Sequence, residues 1–364
     1  MKLIGITGSC GKTSVAEIVY QYLLYIGIPV SLYSSNGNFV NGLTRVKDYL
    51  QTTLYRKDLD ELLHTDEENG IEYAIIEITA ESVKRKDTVH MLPYEVIAMT
   101  NFYSGLSNHF DSKEEYLMCK REILSKSSKK LLLWIEDRNY DFFKDLDHQT
   151  YGYANNANYQ LIVVDNTING LDLNYKGVSF KTNLITAYHA RNVSCALAIL
   201  DSLSLLKMEV FKEFSKNVFI RGRFEKFICK GKNIVIDTGF LGADMLLIGL
   251  EKILGNRNFK TIFSIHHYDE VTEWVKKSRK RVGEYLKWSK FIYLTNPLNK
   301  DNALEIFRND VVGLDYNNYK YISDPEEAVR MALNELNEDE TIVIFAREHY
   351  RKYRSILENI CGVC

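Results

Sequence analysis

Residues 7 to 14 read Thr-Gly-Ser-Cys-Gly-Lys-Thr-Ser, a glycine loop that ends in a lysine and two hydroxyls. In a loop of this kind backbone N–H groups point at phosphate oxygens, the lysine reaches them, and the hydroxyl after it can ligand Mg²⁺. The usual spacing G-x-x-x-x-G-K-[ST] asks for glycine at position 6, where this chain has Ile6, so the loop is a variant of the phosphate cradle. A glycine-rich turn with an incidental lysine is the competing reading. A strand before the loop and a helix after it favour the cradle. Glu77 closes the apolar run Tyr-Ala-Ile-Ile-Glu. The C-terminal end of a strand is where open α/β sheets bind their ligands, which sets Glu77 up to share Mg²⁺ with Thr13. Taken alone, Glu77 is also readable as an exposed strand-end glutamate.

Such groups need a scaffold, and strands and helices alternate from the start. Lys2 to Gly8 reads as a buried strand, 12–27 as a helix with apolar residues at 15, 19, 22, 23 and 26, and 29–35 as the next strand. Further strands are expected at 73–78, 95–102 and 130–137, with helical stretches such as 113–124 between them. Residues 158–185 change rhythm to short strands with polar turns, an antiparallel patch, followed by a helix over 190–206. Strands then return at 233–238, 260–267, 290–295 and 341–346. The expected fold is α/β: a P-loop, doubly wound, mostly parallel sheet with a small antiparallel patch, then a smaller Rossmann-like α/β domain. The boundary is set near residue 228, giving domains 1–228 and 229–364.

Composition narrows the partners. Forty-six basic residues against forty-eight acidic leave a net charge of −2 over 364 residues, so no global field favours nucleic acid or an anionic membrane. A small-molecule or protein partner is the expectation. The opening Met-Lys-Leu-Ile-Gly-Ile-Thr-Gly-Ser-Cys has the order of a lipoprotein signal, but its apolar stretch falls below the roughly 7 residues such a signal needs. No run approaches the ~18 unbroken apolar residues of a membrane span, and a cytoplasmic location is expected. Cysteines 10, 119, 195, 229, 361 and 364 are scattered, which suggests a reducing compartment. Cys361 and Cys364 could be a redox pair, half a zinc site, or part of a frayed tail.

The loop Thr7–Ser14 resembles the nucleotide loop of the Mur ligase family, the ATP-dependent muramyl-peptide ligases, whose form is T-G-[ST]-x-G-K-[ST] and in which the first glycine is normally absent. The resemblance runs on in order: Thr52-Thr53, the Ile-Ile-Glu-Ile-Thr around Glu77, the Asn101 end of Ala-Met-Thr-Asn, His109 to Lys120, Ile135 to Asp137, Asn192-Val-Ser, Gly222-Arg-Phe-Glu, the Val-Ile-Asp-Thr-Gly around Asp237, Thr295-Asn-Pro and Ala346-Arg-Glu-His. It is greatest with the central and C-terminal domains of the third-residue (MurE-type) ligases. The implied domains are an ATP-binding central domain over 1–228 and an acceptor-binding domain over 229–364. The implied activity is an ADP-forming amide ligase that activates a carboxylate as an acyl phosphate, which an amine then attacks. Its implied cofactors are ATP and Mg²⁺.

The resemblance also implies roles. Lys12, Lys120 and Arg223 would be catalytic. Thr7, Gly8, Ser9, Gly11, Lys12, Thr13, Ser14, Asn101, Asn192, Arg223 and Asp237 would meet the nucleotide, and Thr13, Glu77 and His109 the metal. Thr52, Thr53, Asn296, Arg347 and His349 would meet substrate. Lys120 would be carbamylated, turning a cation into an anion, which requires a site that lowers its pKa. Without the resemblance Lys120 is a solvated lysine on an amphipathic helix, and His109 is equally readable as structural.

Departures from the family pattern are informative. Asn108 stands where an aspartate usually precedes the histidine, Phe240 lies near a usual histidine position, and Cys195 replaces a second asparagine. Leu298 and Tyr350 occupy the places where diaminopimelate-adding enzymes have Arg and Glu, so diaminopimelate is not the expected acceptor. The third-residue ligases carry an N-terminal domain that holds UDP, whereas this chain opens at the first strand of the ATP domain. Folylpolyglutamate synthetase, a relative, also begins there. The expected carboxylate is therefore one not anchored by UDP on this chain, and a protein partner could supply substrate binding. The rival expectation is a catalytically weak nucleotide-binding partner subunit.

Overall fold

A computed structural model describes residues 1–45, 52–102, 110–125, 128–238, 249, 258–265, 280, 282–284, 286–299, 301–346 and 349–362. They form two compact units, Met1–Val218 and Phe219–Cys364.

In the first unit β1 (Lys2–Thr7) leads through the glycine loop into α1 (Lys12–Tyr25). Then come β2 (Val30–Ser34), β3 (Gly37–Val40), β4 (Leu43–Thr44), α2 (Arg56–Glu68), β5 (Tyr73–Glu77), α3 (Ala80–Lys84), β6 (Tyr94–Met99), α4 (Lys113–Ser125), β7 (Leu131–Trp134) and β8 (Gln149–Gly152). The unit closes with β9 (Tyr159–Thr167), β10 (Gly170–Tyr175), β11 (Val178–Thr182), α5 (Ala187–Ser202) and α6 (Met208–Ser215). The sheet order is β11-β10-β9-β8-β7-β6-β1-β5-β2-β3-β4. β1 lies at the centre, parallel to both β5 and β6, which explains its unbroken apolar run. Each fully buried aliphatic there, such as Ile4 and Ile6, contributes roughly 1.5–3 kcal/mol.

The antiparallel patch is a continuation of the main sheet. β9 pairs parallel to β8 through Tyr151 with Tyr159 and Gly152 with Gln160, and only then do β10 and β11 turn antiparallel. The opposite edge also folds back, where β2 and β3 form a hairpin across Ser34 and Gly37 that the alternating pattern did not reveal.

The second unit holds β12 (Glu225–Cys229), β13 (Lys232–Asp237), β14 (Phe259–Ser264), β15 (Ile292–Thr295), α7 (Ala303–Ile306), β16 (Tyr319–Tyr321), α8 (Pro325–Asn334), β17 (Thr341–Phe345) and α9 (Tyr350–Cys361). Its order is β12-β13-β17-β14-β15-β16, parallel except for the edge strand β12. Residues 219–228, assigned from sequence to the first domain, belong to this unit, because Glu225 is held by Tyr350 and Arg354. Cys229 and Cys361 are joined as a disulfide linking the end of β12 to the end of α9, so these two cysteines are neither scattered nor part of a frayed tail. Cys364 lies outside the described residues. Among the described residues no helix is long and apolar enough to cross a membrane.

Candidate active site

Three parallel strands, β6, β1 and β5, end side by side, so whatever follows each of them gathers at one sheet edge. After β1 the chain turns through Gly8, at φ 133°, where an added Cβ would sit 2.1 Å from the Thr100 hydroxyl oxygen. At Gly11, φ 85°, a Cβ would meet Asn192 Oδ1 at 2.5 Å. Both glycines are therefore required by conformation and by close approach. The end of β6 clamps the loop. Ser9 N–H donates to the Asn101 carbonyl (2.9 Å), Cys10 N–H to Asn101 Oδ1 (3.2 Å), and Asn101 Nδ2 and Thr100 Oγ1 donate to the Cys10 carbonyl (2.7 and 2.6 Å). Asn101 thus shapes the loop through its backbone. Gly11 caps α1 without a side-chain hydrogen bond, having no side chain to supply one.

Two lysines converge on this loop. Lys12 Nζ donates to the Gly8 carbonyl at 3.0 Å, and Lys120 Nζ, arriving from α4, donates to the same oxygen at 3.2 Å and to Thr7 Oγ1 at 3.0 Å. Lys120 is 1% exposed, which overturns the solvated-helix reading of that residue. Burial first, and the neighbouring Lys12 charge second, hold its amine well below the ordinary lysine range. Tyr116 lies one helical turn earlier, its ring 5.6 Å from Lys120 Nζ and its hydroxyl 2.9 Å from Ser9 Oγ.

Glu77 is completely buried, which removes the exposed reading of this carboxylate. It accepts from Ser35 N–H at 3.1 Å and from Ser35 Oγ at 3.3 Å, and the same hydroxyl reaches Thr52 Oγ1 at 3.0 Å. Thr53 Oγ1 donates to the Glu77 carbonyl at 3.0 Å. Thr53 thereby joins Glu77 directly, while Thr52 and Glu77 are linked by Ser35, a residue that sequence reasoning missed. Its signal was its place just beyond β2, at the same edge as the glycine loop. Thr13 and Ser14 are buried in the first turn of α1. Among the described residues no three His, Cys, Asp or Glu side chains cluster as a self-sufficient metal site. Thr13 and Glu77 offer hard oxygen donors, which suit Mg²⁺ completed by phosphate and water.

Asn192, on α5, is 4% exposed, and its Oδ1, which abuts Gly11, has no hydrogen-bond partner among the described residues. A buried amide oxygen of this kind beside the glycine loop fits a ligand that donates a hydrogen bond to it. Cys195 is fully buried, and burial pushes its thiol up to about 12, so it behaves as a small apolar side chain.

In the second unit Asp237 ends β13, and Asn296 and His349 follow β15 and β17, again at one edge of a parallel sheet. Asp237 Oδ2 accepts Phe224 N–H at 3.0 Å, Arg223 Nη1 donates to the Gly222 carbonyl at 3.0 Å, and Asn296 Nδ2 donates to the Tyr321 hydroxyl at 3.2 Å. Leu298 is 50% exposed. Tyr350, which stands where diaminopimelate-adding enzymes have Glu, donates its hydroxyl to Glu225. His109, Arg347 and Phe240 lie outside the described residues.

Residues 6–200, more than half of the chain, match the Mur ligase middle domain. The chain belongs to the Mur ligase family. Among its Mur ligase relatives, UDP-N-acetylmuramoyl-L-alanyl-D-glutamate–2,6-diaminopimelate ligase of Clostridium perfringens is 24% identical, covering 96% of this chain and 74% of its own length. The corresponding ligase 1 of Clostridium acetobutylicum is 27% identical over 96% of this chain and 73% of itself. Solved structures share the Mur ligase fold. A diaminopimelate ligase superposes with a TM-score of 0.69 at 15% identity, covering 99% of this chain and 78% of that one. Folylpolyglutamate synthase from Thermotoga maritima gives 0.70 at 17% identity, over 98% and 88%.

Proposed function

We propose that this Mur ligase is an ATP-dependent, ADP-forming acid–amino-acid ligase acting on small molecules, with the glycine loop as its phosphate site. The observation that carries the reading is the meeting of the Lys12 and Lys120 amines on the Gly8 carbonyl, one strand away from the buried Glu77 carboxylate. Thr7, Gly8, Ser9, Gly11, Lys12, Thr13 and Ser14 would cradle the phosphates, with Asn192, Arg223 and Asp237 as further nucleotide contacts and Asn101 acting through the loop it clamps. Thr13 and Glu77 would hold Mg²⁺, with His109 as a third ligand. The bound metal would neutralise the phosphates, while Lys12 holds the transferring group against the attacking carboxylate. Thr52 and Thr53 would meet that carboxylate, and Asn296, Arg347 and His349 the amine.

Lys120 is proposed to react with CO₂ as a carbamate. Its burial supports this reading, because a buried amine that is readily neutral is nucleophilic, and its addition to CO₂ with loss of a proton would leave an anion able to support a bound metal. Leu298 offers no charge, and the Tyr350 hydroxyl is engaged by Glu225, so the acceptor is proposed to be an amine other than diaminopimelate.

The test is phosphate release with ATP and Mg²⁺ over a panel of carboxylates and amines. Lys12→Ala and Glu77→Gln are each expected to cut turnover by about 10²-fold or more without unfolding the chain. Full turnover in either variant overturns the phosphate-site assignment. Nucleotide binding with no release under any substrate pair would favour a nucleotide-binding partner subunit.

A further inference from the structure

Glu225 opens β12 and is 4% exposed, a carboxylate that burial pushes up and that Arg354 pulls back down. Its two oxygens are shared among three donors. Oε2 accepts Gly222 N–H at 2.9 Å and the Tyr350 hydroxyl, and Oε1 accepts Arg354 Nη1. Gly222 stands at φ 63°, and a Cβ there would come within 3.2 Å of Tyr350 Cδ2 and 2.6 Å of Thr238 Cγ2, so the tyrosine ring covers the bare glycine. The Gly222 carbonyl accepts from Thr238 N–H and Oγ1, both at 2.9 Å, and from Arg223 Nη1 at 3.0 Å. The guanidinium of Arg223 is therefore held by the carbonyl of Gly222, a residue whose own N–H is held by Glu225 and whose α-carbon is covered by the Tyr350 ring.

The helix that presents Tyr350 is tied to β12 at both ends. Its first turn meets Glu225 at the start of the strand, and Cys361 in its last turn is bonded to Cys229 at the strand's end. Tyr350 also follows His349 directly, and Ala346, just after β17, is anchored to the end of β13 through its N–H to the Asp237 carbonyl at 2.9 Å.

We propose that Tyr350 is a positioning residue for Arg223, acting through Glu225 and Gly222, so that the segment carrying His349 and the turn carrying Arg223 respond as one piece. This rests on the ligase reading, which places Arg223 at the phosphates. Losing one hydrogen bond to a buried carboxylate without losing the ring should release the arginine while leaving the core intact.

The experiment compares wild type with Tyr350→Phe, Arg223→Ala and the double variant. Affinity for β,γ-methylene-ATP with Mg²⁺ is read by calorimetry, and the rate of phenylglyoxal addition to Arg223 by peptide mass spectrometry, with exposed Arg330 as internal reference. Tyr350→Phe is expected to raise Arg223 reactivity and weaken nucleotide binding about five- to tenfold, with no further loss when added to Arg223→Ala. Unchanged Arg223 reactivity in folded Tyr350→Phe, or a loss fully additive with Arg223→Ala, overturns the proposal. Raised reactivity in a chain whose wild type binds no nucleotide upholds the positioning role and sinks the ligase reading. Should Tyr350→Phe fail to fold, Glu225→Gln, which keeps shape and removes the charge, is read by the same two measurements and the same criteria.

Discussion

Lys120 shows how a tertiary setting changes a side chain's chemistry. Among the described residues its amine has Thr7 Oγ1 and the Gly8 carbonyl as hydrogen-bond partners, and no carboxylate at hydrogen-bonding distance. The folded state therefore binds its proton more weakly than the unfolded chain, whose lysines titrate near about 10.4. Between the depressed folded value and that figure the unfolded state holds more protons, so stability attributable to this site rises with pH and falls as pH drops. In CO₂-free buffer, Lys120→Met should melt above wild type at neutral pH, and the gap should close as pH approaches about 10. A gap of constant size across that range would mean that the amine keeps an ordinary pKa. With bicarbonate present the same position should carry a carbamate, and Lys120→Ala should regain part of its turnover when acetate or formate is added.

At the scale of elements, hairpins and helices bring distant residues into register with the strand ends. The β2–β3 hairpin delivers Ser35 to Glu77 across 42 residues of sequence. The edge strand β12 and helix α9 are stapled by a disulfide spanning 132 residues. Closing so long a loop restricts the unfolded chain, so reduction with dithiothreitol should cost about 2–4 kcal/mol, seen as a lower urea midpoint. An unmoved midpoint would show that the link contributes nothing to stability. Leu298, half exposed after β15, tells the opposite story. Leu298→Arg should shift stability by no more than about 0.5 kcal/mol, and a large fall in melting temperature would mean that the side chain is buried.

For the molecule as a whole, an acyl phosphate route makes a prediction independent of the true amine. Hydroxylamine is small and nucleophilic, so with ATP, Mg²⁺ and the correct carboxylate it should intercept the activated acyl group as a hydroxamate, with one ADP formed per hydroxamate. ADP release with no hydroxamate would point to hydrolysis by another route. Much of this was legible in the chain itself. The glycine loop, the strand before it and the helix after it are contiguous, so local pattern suffices to read them. The alternating apolar runs likewise identify the parallel strands, because a strand buried on both faces is apolar throughout. Family membership is likewise carried by ordered local motifs. Sequence alone could not decide that Lys120 is buried, that Glu77 is enclosed and paired with Ser35, that Cys229 meets Cys361, or that Tyr350 turns to Glu225. Each depends on residues 42 to 132 positions apart coming together. Burial and charge at such points are properties of the packed neighbourhood, which no window along the chain contains.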